Sequence, residues 1–287
     1  MNIGFIGAGK VGFSFGKYLS LNQHFLSGYY SKNLDSALEA GKFTNSLCFD
    51  NLYELIKKSD IILITVPDGQ IKAVAQEIAT ISGLDFSKKF FGHCSGAFNH
   101  TILSDLKSLG AYTFSLHPFL AISDKYKSYR DFSNAFFTIE GDEMGIKTAS
   151  SLVKSLGNHY KVIDSNCKPK YHTAAVFATN LMVGLCDMAS DLLMDCGFSK
   201  EEASLSLSNI LRANLENVIQ KGSVNALTGP VERNDEGTVI THLNCLSNRE
   251  DYSRVYKDLS LHLIEIAKIK HPDRDYSDLE EKLMVLG

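Results

Sequence analysis

Short apolar runs alternate with helical patterns through the first half of the chain, and only helical periodicity fills the second. The runs Asn2 to Ile6, Phe25 to Ser31, Ser46 to Phe49, Asp60 to Val66, Lys89 to Cys94, Tyr112 to Leu116 and Ala135 to Glu140 are β-rich, mostly separated by stretches long enough for a helix. Such alternation predicts a doubly wound α/β domain, a parallel sheet with helices on its faces. Ile61-Ile62-Leu63-Ile64 is continuously apolar, as a strand covered on both faces must be, and belongs at the centre of that sheet. After a last short strand near His159 to Ile163 the texture changes. One long helix is expected from about Asn166 to Cys196, closed by Gly197, then helices over Lys200 to Lys221, Glu236 to Leu246 and Arg249 to Lys270. Gly222, Gly229-Pro230 and His271-Pro272 punctuate them. Two domains are expected, α/β over residues 1–164 and all-helical over residues 165–287.

Composition agrees with a folded chain. Of 287 residues 44% are hydrophobic and 22% charged, enough to bury a core and unlike a disordered tail. A net charge of -4 supplies no strong field for nucleic acid or anionic lipid. Six scattered cysteines, without C-x-x-C pairs or a short spacing to His that suggests a zinc site, read as reduced thiols. No run is expected to approach the roughly 20 apolar residues of a membrane span, and a strand starting at residue 2 leaves no room for a signal peptide, so the expected compartment is the cytoplasm.

The strongest motif is Gly7-Ala8-Gly9-Lys10-Val11-Gly12, between the first strand and a helix from about Lys10 to Leu21. Its glycines suit a tight turn, close approach of backbone N–H groups to a pyrophosphate and close helix-to-strand packing, which marks a Rossmann-type dinucleotide site. An NAD site usually places Asp or Glu roughly 20 residues further on for the ribose 2′-hydroxyl. Here the second strand ends Ser31-Lys32-Asn33, a pair of hydrogen-bond donors around a positive charge, which suits the 2′-phosphate of NADP. The competing reading is a polar turn capping the next helix, with Asp35 reaching back.

Ligands of such sheets bind beyond the carboxyl ends of the strands. Val66, Pro67 and Asp68 follow the apolar strand and are expected to border the nicotinamide; otherwise Asp68 caps the helix from Gln70 to Thr80. His93 and Ser95 end the next strand and His117 the one after, bringing two imidazoles and a hydroxyl toward one crevice. Each His is as readily a satisfied core residue as a substrate contact, Ser95 reads as a hydrogen-bond donor rather than a nucleophile, and Cys94 as a small buried hydrophobe. In the long helix Lys168 and His172 share a face, and Asn180 lies two turns further, roughly 80 degrees around. Reduction of a carbonyl needs a hydride donor, a proton donor and a group that fixes the substrate, and these three side chains fit the last two roles. A solvated helix start is the plain alternative.

Gly7 to Gly12, Val66-Pro67-Asp68, His93 to Ala97, His117-Pro118, Tyr171-His172 and, most specifically, Ala226-Leu227-Thr228-Gly229-Pro230 followed by Thr238 to Leu243 together resemble a group of Rossmann-like oxidoreductases, mostly of unknown function, that includes alternative ketopantoate reductases. More distantly the chain is similar to pyrroline-5-carboxylate reductases and β-hydroxyacid dehydrogenases. The resemblance implies an NADPH-dependent reductase of a small oxo acid, with ketopantoate foremost, an active site between the domains and a homodimer. Reduction of a cyclic imine or a β-oxo acid, and a non-catalytic NADP(H)-binding regulator, are the rival readings. The usual ketopantoate reductases carry Lys and then Asn four residues later, the Lys assisting proton transfer; here Lys168 is followed at that spacing by His172. His172 is the preferred acid, with Asn180 as orienter, because Lys168 falls at a helix start expected to fray. Arg233 is a candidate fork for a substrate carboxylate and Thr228 a candidate donor, against a plain turn with a solvated Arg.

Overall fold

The computed structural model describes residues 1–285 and divides them into two compact units, 1–178 and 179 onward. The first unit runs β1 (Ile3–Ile6), α1 (Lys10–Leu21), β2 (Leu26–Tyr30), α2 (Leu34–Thr44), β3 (Leu47–Phe49), α3 (Leu52–Lys58), β4 (Ile61–Ile64), α4 (Ile71–Ala79), β5 (Phe90–His93), α5 (Ser104–Ser108), β6 (Tyr112–Phe119), β7 (Phe136–Gly141), α6 (Glu143–Ser155), β8 (Tyr160–Val162) and α7 (Lys168–Ala178). All eight expected strands form one sheet in the order β3-β2-β1-β4-β5-β6-β7-β8. Pairing is parallel except where β7 runs against β6. The chain reverses its winding direction between β1 and β4, which opens a crevice at their carboxyl ends.

Each face of the sheet is sealed by its own core. Ile61 and Leu63 of β4 join Phe5, Phe15, Phe132 and Phe137 on one side, while Ile62 and Ile64 join Phe91 and the buried residues of α4 on the other. The unbroken apolar run of β4 is thus the signature of a central strand.

The second unit contains α8 (Asn180–Asp195), α9 (Lys200–Ala226), α10 (Pro230–Arg233), α11 (Glu236–Cys245), α12 (Glu250–Lys270) and α13 (Ser277–Val285). The expected helix from Asn166 to Cys196 is therefore two helices. Thr179, at φ -127 and ψ -74, breaks it, and α7 stays with the sheet, so the boundary follows Ala178 rather than residue 164. Gly222 (φ 73, ψ 163) interrupts α9 where a break was expected. Contrary to the expectation for membrane spans, Ser165–Asp195 is long and apolar enough by length and composition alone, with a mean hydropathy of 1.3. The Thr179 break leaves segments of 11 and 16 helical residues, each short of the roughly 20 a span needs.

One buried polar side chain ties several elements of the first unit together. Asn158 receives the Tyr18 hydroxyl at 2.8 Å and donates to the Phe132 and Ala135 carbonyls at 2.7 and 3.0 Å, joining α1, the single turns before β7 and the approach to β8. Asn158→Ala strands three buried partners, and urea denaturation is expected to show a loss of roughly 3 kcal/mol, against well under 1 for an exposed Asn.

Candidate active site

The three glycines of the first turn have different physical reasons. Gly7 has φ +102, and a Cβ there would lie 2.9 Å from the Thr65 carbonyl. A Cβ on Gly12 would lie 2.3 Å from Thr65 Oγ1 and 2.6 Å from the Gly7 carbonyl oxygen. Both are glycine because the end of β4 presses on the turn, where Thr65 donates its hydroxyl to the Gly7 carbonyl at 2.8 Å. Gly9 is different: its φ is an ordinary -76, and the nearest atom to an added Cβ is 3.9 Å away. Packing does not require glycine there, whereas close approach of a ligand to the backbone does. α1 begins at Lys10 with no side-chain cap and no acid in its first turn, so its N-terminal N–H groups and positive dipole end are left for an anion. A pyrophosphate fits this cradle.

Beside it lies a cleft of about 200 Å³ lined by the Gly7 to Gly9 turn, Tyr30 to Lys32 at the end of β2, and Thr65 to Pro67. Ala8 lines this cleft, and Val11 lies in the first turn of α1. Ser31 and Lys32 are in place to meet whatever extends past β2. Asn33 is not: its side-chain oxygen accepts from the Asp35 and Ser36 N–H groups at 2.9 and 3.3 Å and caps α2.

The loops after β4 and β5 are tied together by Ser95, whose hydroxyl donates to Asp68 Oδ2 at 2.9 Å and accepts from the Ala97 and Phe98 N–H groups. Asp68 caps no helix; α4 starts without a side-chain cap. His93 is fully buried. Its Nδ1 accepts from the Ser95 N–H at 3.2 Å and its Nε2 meets the Asn99 carbonyl at 3.2 Å, which fixes the neutral Nε2–H tautomer. Burial pulls its pKa down to about 4, so His93 holds the loop in shape rather than facing a substrate. Cys94 is pushed up to about 12 by burial and is no thiolate at neutral pH.

The Ser95 carbonyl is the meeting point. It accepts from Ser115 Oγ at 3.3 Å and from Lys168 Nζ at 2.9 Å. Lys168, expected at a frayed helix start, is instead only 1% exposed. Asp164 caps the single turn that leads into α7, and the ammonium lies 5.7 Å from the Tyr171 ring centroid. Burial lowers its pKa to about 8, with Glu140 opposing the fall. His117 offers Nδ1 to the Tyr171 hydroxyl at 2.7 Å, and burial with the nearby Lys168 charge lowers it to about 3, so it stays neutral. His172, one turn beyond Lys168, has a buried Nδ1 with no hydrogen-bond partner among the described residues. A Cβ on Gly96 would stand 2.8 Å from that nitrogen and 2.9 Å from His117 Nε2, so the bare loop admits both imidazoles.

Lys168, His172, His117, Ser95 and Asp68 thus come together in the first unit. Asn180 does not join them through α7: it opens α8 in the second unit, exposed, with its side-chain oxygen bonded to the Thr179 hydroxyl at 2.9 Å, because the break at Thr179 ends the helical phase that set it 80 degrees from His172. Thr228 and Arg233 also belong to the second unit and are exposed. Sequence reasoning missed Glu140, Gly96 and Tyr171 as parts of the site. The register of β7 against β6 brings Glu140 there and the path into α7 brings Tyr171, while Gly96 shows its role only through the imidazoles packed against it.

The fold and the glycine turn define the class, a doubly wound dinucleotide-binding domain followed by helices. Residues 1–118 match the Rossmann-like domain and residues 135–263 match a domain of unknown function, DUF2520. The chain joins the two. Among solved structures it is similar to protein TM1727 from Thermotoga maritima (23% identity, TM-score 0.75, covering 93% of this chain and 99% of that one). A Bacteroides fragilis protein assigned as an NADP oxidoreductase is similar at 22% identity, TM-score 0.71, over 92% and 98%. The 1-pyrroline-5-carboxylate reductase of Streptococcus pyogenes follows at 16%, TM-score 0.63, over 93% and 98%. At these identities the likeness is one of fold. Comparison with the curated proteins finds no match.

Gly9 and Gly12 differ in what a methyl group would cost. Gly9→Ala is expected to melt within a degree or two of the wild type and to weaken NADPH binding at least about tenfold by fluorescence titration, a loss of about 1.4 kcal/mol. Gly12→Ala is expected to lose stability outright, since the colliding atoms include the Gly7 backbone.

Proposed function

We propose that the protein is an NADPH-dependent reductase of a small carbonyl compound, with the 2-oxo acid ketopantoate as the first substrate to test. The observation that carries this reading is the buried Lys168 ammonium, bonded to the same Ser95 segment that reaches Asp68 beside the glycine turn. A reduced nicotinamide, when bound, supplies the hydride. A carbonyl oxygen that takes up hydride becomes an alkoxide and needs a proton. An ammonium lowered to about 8 surrenders that proton more readily than an ordinary lysine and is still charged near neutrality. This favours Lys168 over His172 as donor. His172, with its unpartnered Nδ1 beside Gly96, is read as the group that orients the substrate. Ser31 and Lys32, in place of an acid after β2, favour the 2′-phosphate of NADP over a free ribose hydroxyl.

The fold likeness to pyrroline-5-carboxylate reductase favours a second reading, reduction of a cyclic imine. An imine nitrogen can be protonated before hydride arrives, so it asks less of a buried acid. NADPH absorbance with ketopantoate and with pyrroline-5-carboxylate in parallel separates the two. Under the first reading kcat/KM with ketopantoate is level below pH 8 and falls about tenfold per unit above it, as the charged form of Lys168 is lost. Lys168→Met is expected to reduce kcat by about 10² to 10⁴ while NADPH still binds. Binding of NADPH without consumption by any oxo acid or imine sinks both readings and leaves a sensor of cofactor state.

We also propose a homodimer built on α8 and α9. No residue of α8 is buried, α9 buries only Ala203 and Ala226, and Val183, Leu205, Ile210 and Ile219 are each 66% or more exposed. An apolar surface of this extent marks an association site. Light scattering is expected to give twice the 31.7 kDa chain mass, and Leu205→Glu with Ile219→Glu to give the single mass. A monomeric wild type refutes the dimer.

A further inference from the structure

Glu140 is a carboxylate inside the sheet. It stands on β7 opposite Ser115 of β6, which in turn stands opposite His93 of β5, and all three side chains are buried. A carboxylate is almost never fully buried unless it is paired. Glu140 Oε1 accepts from the His100 backbone N–H at 2.8 Å, and its Oε2 accepts from His100 Nδ1 at 2.6 Å and from Ser165 Oγ at 2.7 Å. His100 begins the single turn that follows the Ser95–Gly96 loop, and Ser165 begins the turn that delivers Lys168. One side chain therefore fastens both segments between which Lys168 Nζ meets the Ser95 carbonyl.

We propose that Glu140 is the positioning residue for Lys168: it fixes the loop after β5 through His100 and the start of α7 through Ser165, and its charge balances the buried ammonium. The proposal rests on Lys168 as proton donor. Besides Glu140, the groups that face Lys168 are Asp68 after β4, His93 and Cys94 at the end of β5, His117 on β6 and Tyr171 on its own helix. The two histidines are neutral and Cys94 is protonated, which leaves the carboxylates of Glu140 and, with a weaker effect on the amine, Asp68. Burial lowers the Lys168 pKa, and among the groups that resist this Glu140 acts most strongly. Burial also works against the Glu140 charge, but the bonds from His100 and Ser165, with the charges of His100 and Lys168, hold its carboxyl below the usual range.

The test follows the Lys168 amine directly, by the ¹³Cε resonance of lysine-labelled full-length protein between pH 6 and 11, assigned by its loss in Lys168→Arg. Glu140→Gln is expected to move the Lys168 midpoint down by about one unit or more, a tenfold drop in its protonated share on the alkaline side, and Glu140→Asp to restore most of it. A purely structural role leaves the midpoint of the folded variant in place, and that result overturns the proposal. If Glu140→Gln does not fold, Lys168→Met carries the same test from the other end. Linkage then requires the Glu140 carboxyl, read on its ¹³Cδ resonance, to titrate higher by a comparable amount, and an unmoved carboxyl overturns the proposal. In an active enzyme the alkaline limb of kcat/KM moves with the amine. A wild type that consumes no NADPH, yet shows the coupled titration, removes the reductase reading and keeps the Glu140–Lys168 coupling.

Discussion

Lys168 Nζ meets the Ser95 carbonyl oxygen at 2.9 Å inside the first unit, and most of the unusual features around the carboxyl ends of β4 to β6 exist to make that contact tenable. Removing an ammonium from water costs several kcal/mol, and one hydrogen bond returns only part of it. A hydrophobe of similar length would pack there at no such cost. The contact also needs a carbonyl that points the right way. His93, held in one tautomer by the Ser95 N–H and the Asn99 carbonyl, shapes the loop that supplies it. Gly96 must stay bare for the imidazoles of His117 and His172 to close over the same loop. Glu140 completes the set from the neighbouring strand. An arrangement that spends stability on a charged group in a crevice is the kind that chemistry, rather than folding, maintains.

The two sides of the crevice are made by opposite means. On the dinucleotide side the backbone does the work: Gly7 and Gly12 let Thr65 press against the turn, and Gly9 leaves the helix N-terminus open. On the other side, side chains do it, through the Asp68–Ser95 bond and the His117–Tyr171 bond. Backbone geometry of the first kind suits a large anion such as a pyrophosphate. Side-chain geometry of the second kind can be altered one residue at a time, which is why the neighbours of a shared fold can differ in what they act on.

This division explains how much was legible in the sequence. The strands, the central place of β4 and the glycine turn are local patterns, and each was readable from periodicity or spacing. Lys168 and His172 were readable as a pair because they are four residues apart. The status of Lys168 was not, since the carboxylate that supports its charge, Glu140, is brought near by an antiparallel strand 28 residues earlier in the chain. Asn180 misled for the converse reason. The arithmetic of 100 degrees per residue assumes an unbroken helix, and the segment carries no Gly or internal Pro near Thr179 to announce the break. Asn33 looked like a ligand group and is a helix cap, because the first use of an Asn before a helix is to satisfy that helix's own N–H groups.

The break at Thr179 also separates two kinds of helix. α7 carries its polar residues against the sheet, and Lys168, Tyr171 and His172 meet β6 and the loop after β5. α8 and α9 carry apolar side chains that their own unit leaves exposed, while the core of that unit is made by Val231, Val239, Leu243 and Ile264 with Tyr276, Leu279 and Leu283 from its later helices. The residues gathered around Lys168 therefore belong to the first unit, and the exposed apolar faces of α8 and α9 to the second.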